Sequence, residues 1–199
     1  MEDIKLFNKY SSEGIEVSDV GIRPYISVEP VFVPKTGARY AGARFHKSKV
    51  SIVERLINKI MVAGHKGKKH KYSSGHNTGK AQKAYSIVKE AFEIIEEKTG
   101  QNPLAVFVKA VENSAPREEI VTIEYGGARY PKAVESAPQR RIDYALRMMA
   151  QSAYSSSFDS KRDASSALAN EIIEAYKLSQ KSQAISKKQD MERQADSAR

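Results

Sequence analysis

Residues 81–134 read AQKAYSIVKEAFEIIEEKTGQNPLAVFVKAVENSAPREEIVTIEYGGARYPKAV, and inside this stretch the hydrophobic period changes from that of a helix to that of a strand. Ala81, Ala84, Tyr85, Val88, Ala91, Phe92 and Ile95 fall on one stripe, which predicts a helix from about Gly79 to Thr99 with Gly100 as its stop. Asn102-Pro103 is a cap followed by proline at the first helical position, and Leu104, Phe107, Val108 and Val111 carry the next stripe up to Pro116. From Ile120 the period is two. Val121, Ile123 and Tyr125 alternate with polar neighbours, Gly126-Gly127 supplies the two positive-φ positions of a tight turn, and Ala128 to Val134 returns. A two-residue loop sets Tyr125 opposite Ala128, Glu124 opposite Arg129 and Ile123 opposite Tyr130, which matches charges and apolar partners across the ribbon. Pro131 confines the return strand to an edge. An isolated ribbon is marginal in water, so this one must lean on a helix or a ligand.

Working outward, Val53, Leu56, Ile57, Ile60 and Met61 predict an earlier helix from about Ser48 to near Gly64. After Pro138, Ile142, Ala145, Leu146, Met149 and Ala153 form a fourth stripe that ends in the polar run Ser155 to Ser157. A fifth begins near Asp163 and carries Leu168, Ile172, Ala175 and Tyr176. Residues 1–45 hold Pro24, Pro30 and Pro34 with short alternating pieces at Ile26–Val28 and Val31–Val33, an extended arm with a strand or two that has to lie against something else. Residues 182–199 are nearly all polar, a loose helix or a disordered end. The expected organisation is therefore the arm at 1–45, a helical domain at 46–181 with its hairpin at 119–135, and the tail at 182–199. The fold class is mainly α, a bundle of five to six helices with one β-hairpin and an extended N-terminal arm.

The chain has 199 residues, 33 Lys+Arg against 24 Asp+Glu, and no cysteine. Disulfides, thiolate metal sites and cysteine nucleophiles are thereby excluded, and the absence of cysteine fits a reducing cytoplasm. No apolar run approaches a membrane span, and the amino end has acids and no apolar signal centre, so the reading is a soluble protein that is not exported. The net charge of +9 hides an asymmetry: residues 30–89 contain fourteen bases and a single acid, Glu54. A surface kept for solubility would intersperse both signs. A membrane-binding segment would set its bases on an amphipathic helix, whereas the densest bases here lie in the loop HKGKKHKYSSGHNTGK at 65–80. Nucleic acid is the better polyanion, and Lys66, Lys68, Lys69, Lys71 and Lys80 are candidate contacts on charge alone, together with Arg39, Arg44, Lys47 and Lys49.

His65, His70 and His76 match no metal spacing and sit among lysines without a carboxylate, so no metal site is assigned. Gly75 to Ala81 fails as a nucleotide phosphate loop, because three residues separate the glycines, Ala81 stands where the hydroxyl belongs, and no strand precedes it. Gly79 and Lys80 still open a helix whose free N–H groups favour phosphate. Arg140 and Arg147 share a face beside the fourth apolar stripe, with Asp143 in i,i+3 reach; that face is either an RNA contact or ordinary solvated surface. Tyr125, Arg129, Tyr130 and Lys132 either stack on unpaired bases or pack on a helix. No serine elbow, carboxylate pair or dinucleotide fingerprint is present, so neither catalytic residues nor a cofactor are assigned. A DNA-binding helix-turn-helix is the alternative; about fifteen residues separate its two helices, where that motif uses three or four.

The blocks ERLINKIMVAG (54–64) and TGQNPLAVFVKAVEN (99–113), followed in order by Gly126–Tyr130, Pro138-Gln139-Arg140-Arg141 and Leu168–Ile173, resemble the universal small-subunit ribosomal protein seven family. The long arm and the His/Lys loop are similar to its archaeal-type branch. The resemblance implies a helical bundle with a protruding hairpin. It further implies binding to the three-prime major domain of small-subunit rRNA, nucleation of head assembly, and a hairpin near exit-site tRNA and the mRNA exit. Neighbouring proteins of the head and platform would be its protein partners, and its location the cytoplasm, in the ribosome. By position, Lys59, Arg129, Arg140 and Arg141 match basic positions of that family's RNA-facing surface.

Overall fold

Two local signals turn the chain between its second and third helices. Gly100 takes a left-handed φ of +65° and its N–H closes on the Glu96 carbonyl at 2.8 Å; two residues on, the Asn102 side chain accepts from the Leu104 N–H at 3.0 Å with Pro103 in the first turn. This computed structural model describes residues 4–62 and 77–199. It contains α1 (Ile52–Ile60), α2 (Ala81–Thr99), α3 (Pro103–Ser114), the strands β1 (Glu118–Tyr125) and β2 (Ala128–Glu135), α4 (Pro138–Ser157), α5 (Ala164–Tyr176) and α6 (Gln183–Asp196). The fold is mainly α with a two-stranded antiparallel hairpin.

The fifth helix is central, packing against α2, α3 and α4. Its buried Ala167, Ala169 and Ala175 are small enough to let three neighbours approach at once, while Leu168 and Ile172 fill the space between them. Phe92, Phe107, Leu146 and Met149 complete a core from which water is excluded. Each such side chain stabilises by about 1.5–3 kcal/mol on burial.

The hairpin has the register expected from its turn: Tyr125 pairs with Ala128, Glu124 with Arg129 and Ile123 with Tyr130. Gly126 and Gly127 take φ of +57° and +81°, which a side chain would strain. The base leans on α6. Arg199 Nη2 donates to both carboxylate oxygens of Glu118 at 2.5 and 2.6 Å, and the Arg117 N–H donates to Glu192 Oε1 at 3.0 Å.

Two expectations need correction and a third is narrowed. Ile26–Val28 and Val31–Val33 are not strands; the described part of the arm has only isolated bridges, Leu6 to Tyr10 and Ser27 to Ser51. Pro24, Pro30 and Pro34 remove donors and no neighbouring strand offers a ladder. The arm is instead held by its side chains, with Leu6, Phe7, Tyr10, Val17, Ile22 and Ile26 buried and the Phe7 ring edge-on to Tyr85 and Phe92 at 5.2 and 5.9 Å. The first helix starts later than Ser48, at Ile52, because His46–Lys49 wind as a tighter 3-10 turn; Gly64 lies outside the described residues. Of the two expectations for the polar tail, a loose helix or a disordered end, the helix is what forms, and it is capped. Buried Glu171 of α5 accepts from Ser182 Oγ at 2.7 Å, the Ala184 N–H at 3.0 Å and the Gln183 N–H at 3.3 Å, so a carboxylate satisfies the positive end of α6. Ala184, Ile185 and Ala195 are buried beneath it.

Candidate nucleic-acid interface

Arg55 sits in the middle of α1 on the side turned to α4, and its side chain is only 4% exposed. A buried guanidinium needs acceptors. Nη1 donates to the Tyr25 carbonyl at 2.8 Å and Nη2 to Asp143 Oδ1 at 3.3 Å. Lys47, on the 3-10 turn, donates to the other oxygen of Asp143. Lys59 lies one helical turn beyond Arg55, and Arg147 one turn beyond Asp143. Burial pushes the Lys59 ammonium below its usual range, the Asp143 charge opposes that, and Arg147, Lys47 and Arg55 add to it. Burial alone would raise the Asp143 carboxyl, but the hydrogen bond from Lys47 and the charges of Arg55 and Lys59 hold it below the ordinary carboxylate range. Lys47 and Arg55 thus bond to one carboxylate whose charge Lys59 also feels, and Arg147 adds a further positive charge beside Lys59. The excess positive charge is held in place rather than spread over free side chains, which suits an anion brought from outside.

Arg55 was absent from the sequence-based candidates, and Asp143 was expected to support Arg140. In the structure Arg140 Nε donates to Glu119 of β1 at 2.8 Å, and Asp143 turns to partners 88 and 96 residues away. No local spacing signals such a pairing. The one signal available was the acid itself, beside the buried stripe of Ile142 and Leu146.

The hairpin projects. Residues 121–130 are all exposed, Tyr125 at 82% and Tyr130 at 58%, so neither ring packs on a helix. Alternation puts Val121, Ile123 and Tyr125 on one face with their partners Lys132, Tyr130 and Ala128. That face offers two rings and a cation. Arg129 lies on the other, 3.5 Å from Glu124.

The remaining candidates are dispersed. Arg39, Arg44 and Lys49 are exposed around the end of the arm, the Arg44 guanidinium 5.1 Å from the Phe45 ring centre. Lys80 is exposed at the start of α2, where no side chain caps the helix. Arg141 is nearly buried and committed internally: Nε donates to the Pro116 carbonyl at 3.0 Å and Nη2 to Asp19 at 2.6 Å. Burial would raise the Asp19 carboxyl, but the Arg141 hydrogen bond and the Gly21 N–H hold it low. Arg141 therefore fastens the arm to the α3–β1 connection. Lys66, Lys68, Lys69 and Lys71, with His65, His70 and His76, lie outside the described residues. Among the described residues no three His, Asp or Glu converge as metal ligands, and no helix is long and apolar enough to cross a membrane.

A family model described as Ribosomal protein S7p/S5e matches residues 22–199. The chain is 52% identical over 196 residues to the small ribosomal subunit protein uS7 of Nanoarchaeum equitans, covering 98% of this chain and 99% of the relative. Against the protein of the same name from Archaeoglobus fulgidus it is 47% identical over 198 residues, covering 100% and 96%. Against that of Methanothrix thermoacetophila it is 45% identical over 196 residues, covering 98% and 100%.

Proposed function

Because the chain belongs to the ribosomal protein S7p/S5e family, we propose that it is a structural, non-enzymatic constituent of the small ribosomal subunit, working in the cytoplasm within the ribosome. There it binds the three-prime major domain of small-subunit rRNA, nucleates assembly of the head, and sets its hairpin beside exit-site tRNA and the mRNA exit. Proteins of the head and platform are its neighbours.

The observation that carries this reading is the Asp143 cluster, in which Lys47 and Arg55 bond to one carboxylate, Lys59 feels its charge, and Arg147 adds positive charge beside Lys59. RNA phosphates complete the neutralisation, and release of their counterions drives binding. Lys49, Lys80, Arg39 and Arg44 extend the basic surface, and Lys66, Lys68, Lys69 and Lys71 join it by charge. Arg129 and Lys132 place cations on the hairpin. Arg140, with 63% of its side chain exposed, reaches phosphate by leaving Glu119. Arg141 acts by holding the arm. Phosphate contacts supply affinity, while RNA shape and unpaired loops supply specificity, since A-form major grooves do not admit side chains. The DNA-binding alternative is disfavoured by residues 61–80, which separate α1 from α2.

The test is a titration of the protein against a transcript of the three-prime major domain and against an unrelated RNA of equal length, at several salt concentrations. A preference of about 10³ that survives moderate salt is expected. Equal affinities that vanish together with salt would refute the assignment.

A further inference from the structure

A groove of about 640 Å³ opens between the arm and the beginning of α1, within the range of small-molecule sites. Its floor lies where the two segments join: Ser27 and Ser51 form a parallel bridge, and the Ile52 N–H donates to the Ser27 carbonyl at 3.0 Å. Lys35, Arg39, His46 and Lys49 line it, and none of them has an ion-pair partner among the described residues. The carboxylate of Glu54 is buried in the wall, accepting from the Thr36 N–H at 2.9 Å and its hydroxyl at 2.6 Å. Glu29 is the other acid, exposed at the margin. The positive charge of the groove is therefore in excess.

A patch serving only solubility or loose phosphate contact would be flat and polar. This one is concave, and it has an apolar wall of Val31, Val50 and Tyr40. The Tyr40 hydroxyl accepts from Asn58 Nδ2 at 2.8 Å, which fixes the ring. Cations for a phosphate, and a ring and two valines for a planar base, are together the requirements of a nucleotide.

We propose that this groove takes a single unpaired nucleotide of the bound rRNA, its base against Tyr40 and the valines and its phosphate on the four bases. This rests on the rRNA-binding reading and adds a defined subsite to it.

Two measurements on the full chain test it. The first photo-crosslinks the protein to the three-prime major domain transcript and maps the linked peptide and nucleotide by mass spectrometry. The second records saturation transfer to the four free nucleoside monophosphates. A crosslink between residues 27–50 and one unpaired nucleotide is expected, abolished in Arg39→Gln/Lys49→Gln, which binds the transcript about tenfold more weakly. Crosslinks elsewhere persist, which shows that the variant still folds and binds. A transcript that binds without any crosslink in this segment, or crosslinks there that survive the variant, overturns the subsite while leaving rRNA binding standing. Monophosphates that bind without a transcript crosslink overturn the RNA source and assign the groove to free nucleotides. Failure of the wild-type chain to bind the transcript at all removes the rRNA reading and this subsite with it.

Discussion

Replacing Asp143 with Asn separates stability from RNA attraction, because the two respond with opposite sign. The substitution conserves volume and removes the one carboxylate shared by Lys47 and Arg55. Removing one partner of a buried ion pair costs about 3–5 kcal/mol, since the other charge is left without compensation. Here Arg55 is 4% exposed and Asp143 16%, so most of that penalty applies. Two features lower it: Arg55 keeps its hydrogen bond to the Tyr25 carbonyl at 2.8 Å, and Lys47, 36% exposed, turns to water. The expected loss is about 2–3 kcal/mol, or a fall in Tm of about 4–12 °C for a chain of this length. The same change raises the net positive charge around position 143 by one. Affinity for an unrelated RNA should therefore rise at low salt and converge with wild type near 1 M, where the screening length is about 3 Å. Urea denaturation followed by far-UV circular dichroism reads the first effect, and filter binding at two salt concentrations the second. A stability change under about 0.5 kcal/mol, or weaker low-salt binding by a folded variant, would refute the view that Asp143 holds a charge cluster in check.

Acid should act through the same residues. Asp143 and Asp19 are held below the usual carboxylate range when folded, so each contributes stability that is present above its unfolded pKa of about 3.9 and lost as pH falls through its lower folded value. The urea midpoint should therefore fall steeply below about pH 4, and less steeply in Asp143→Asn; an identical profile for the variant would contradict this. Glu171→Ala removes the acceptor for Ser152, Ser182 and two N–H groups of α6, for an expected loss of about 2–4 kcal/mol. Hydrogen exchange should show the α6 amides losing protection first, and unchanged α6 protection would mean that the tail is held by its apolar contacts alone. Replacing Glu124–Arg129 with a short glycine linker should move Tm by less than about 2 °C while weakening rRNA binding, because that segment is fully exposed. Collapse of the helical transition in a thermal scan would place the ribbon in the core.

The hairpin register was legible in the sequence because Gly126-Gly127 permits one kind of tight turn, and a two-residue turn leaves one pairing. The Asn102-Pro103 cap and the Gly100 stop were legible for a similar reason, each depending on atoms within a few residues. The tail was left open between helix and disorder because composition was weighed alone: its few apolar residues, Ala184, Ile185 and Ala195, suffice once Glu171 caps the helix. The arm was misread because alternation at Val31–Val33 has no meaning without a strand to pair with. The sequence showed where the candidate bases are. It did not show that Arg141 is spent on Asp19, or that Arg55 belongs beside Lys47.

By itself, then, the order of residues determined helices α2 to α5, the hairpin and the strongly basic segment, all of which follow from periods of 3.6 and 2 and from turn chemistry that acts over a few bonds. Only the tertiary structure decided which charges are free. Whether a base faces solvent or a buried carboxylate depends on which helices cross and at what rotation, and that is set by packing of the whole core around α5 rather than by any residue's neighbours in the chain.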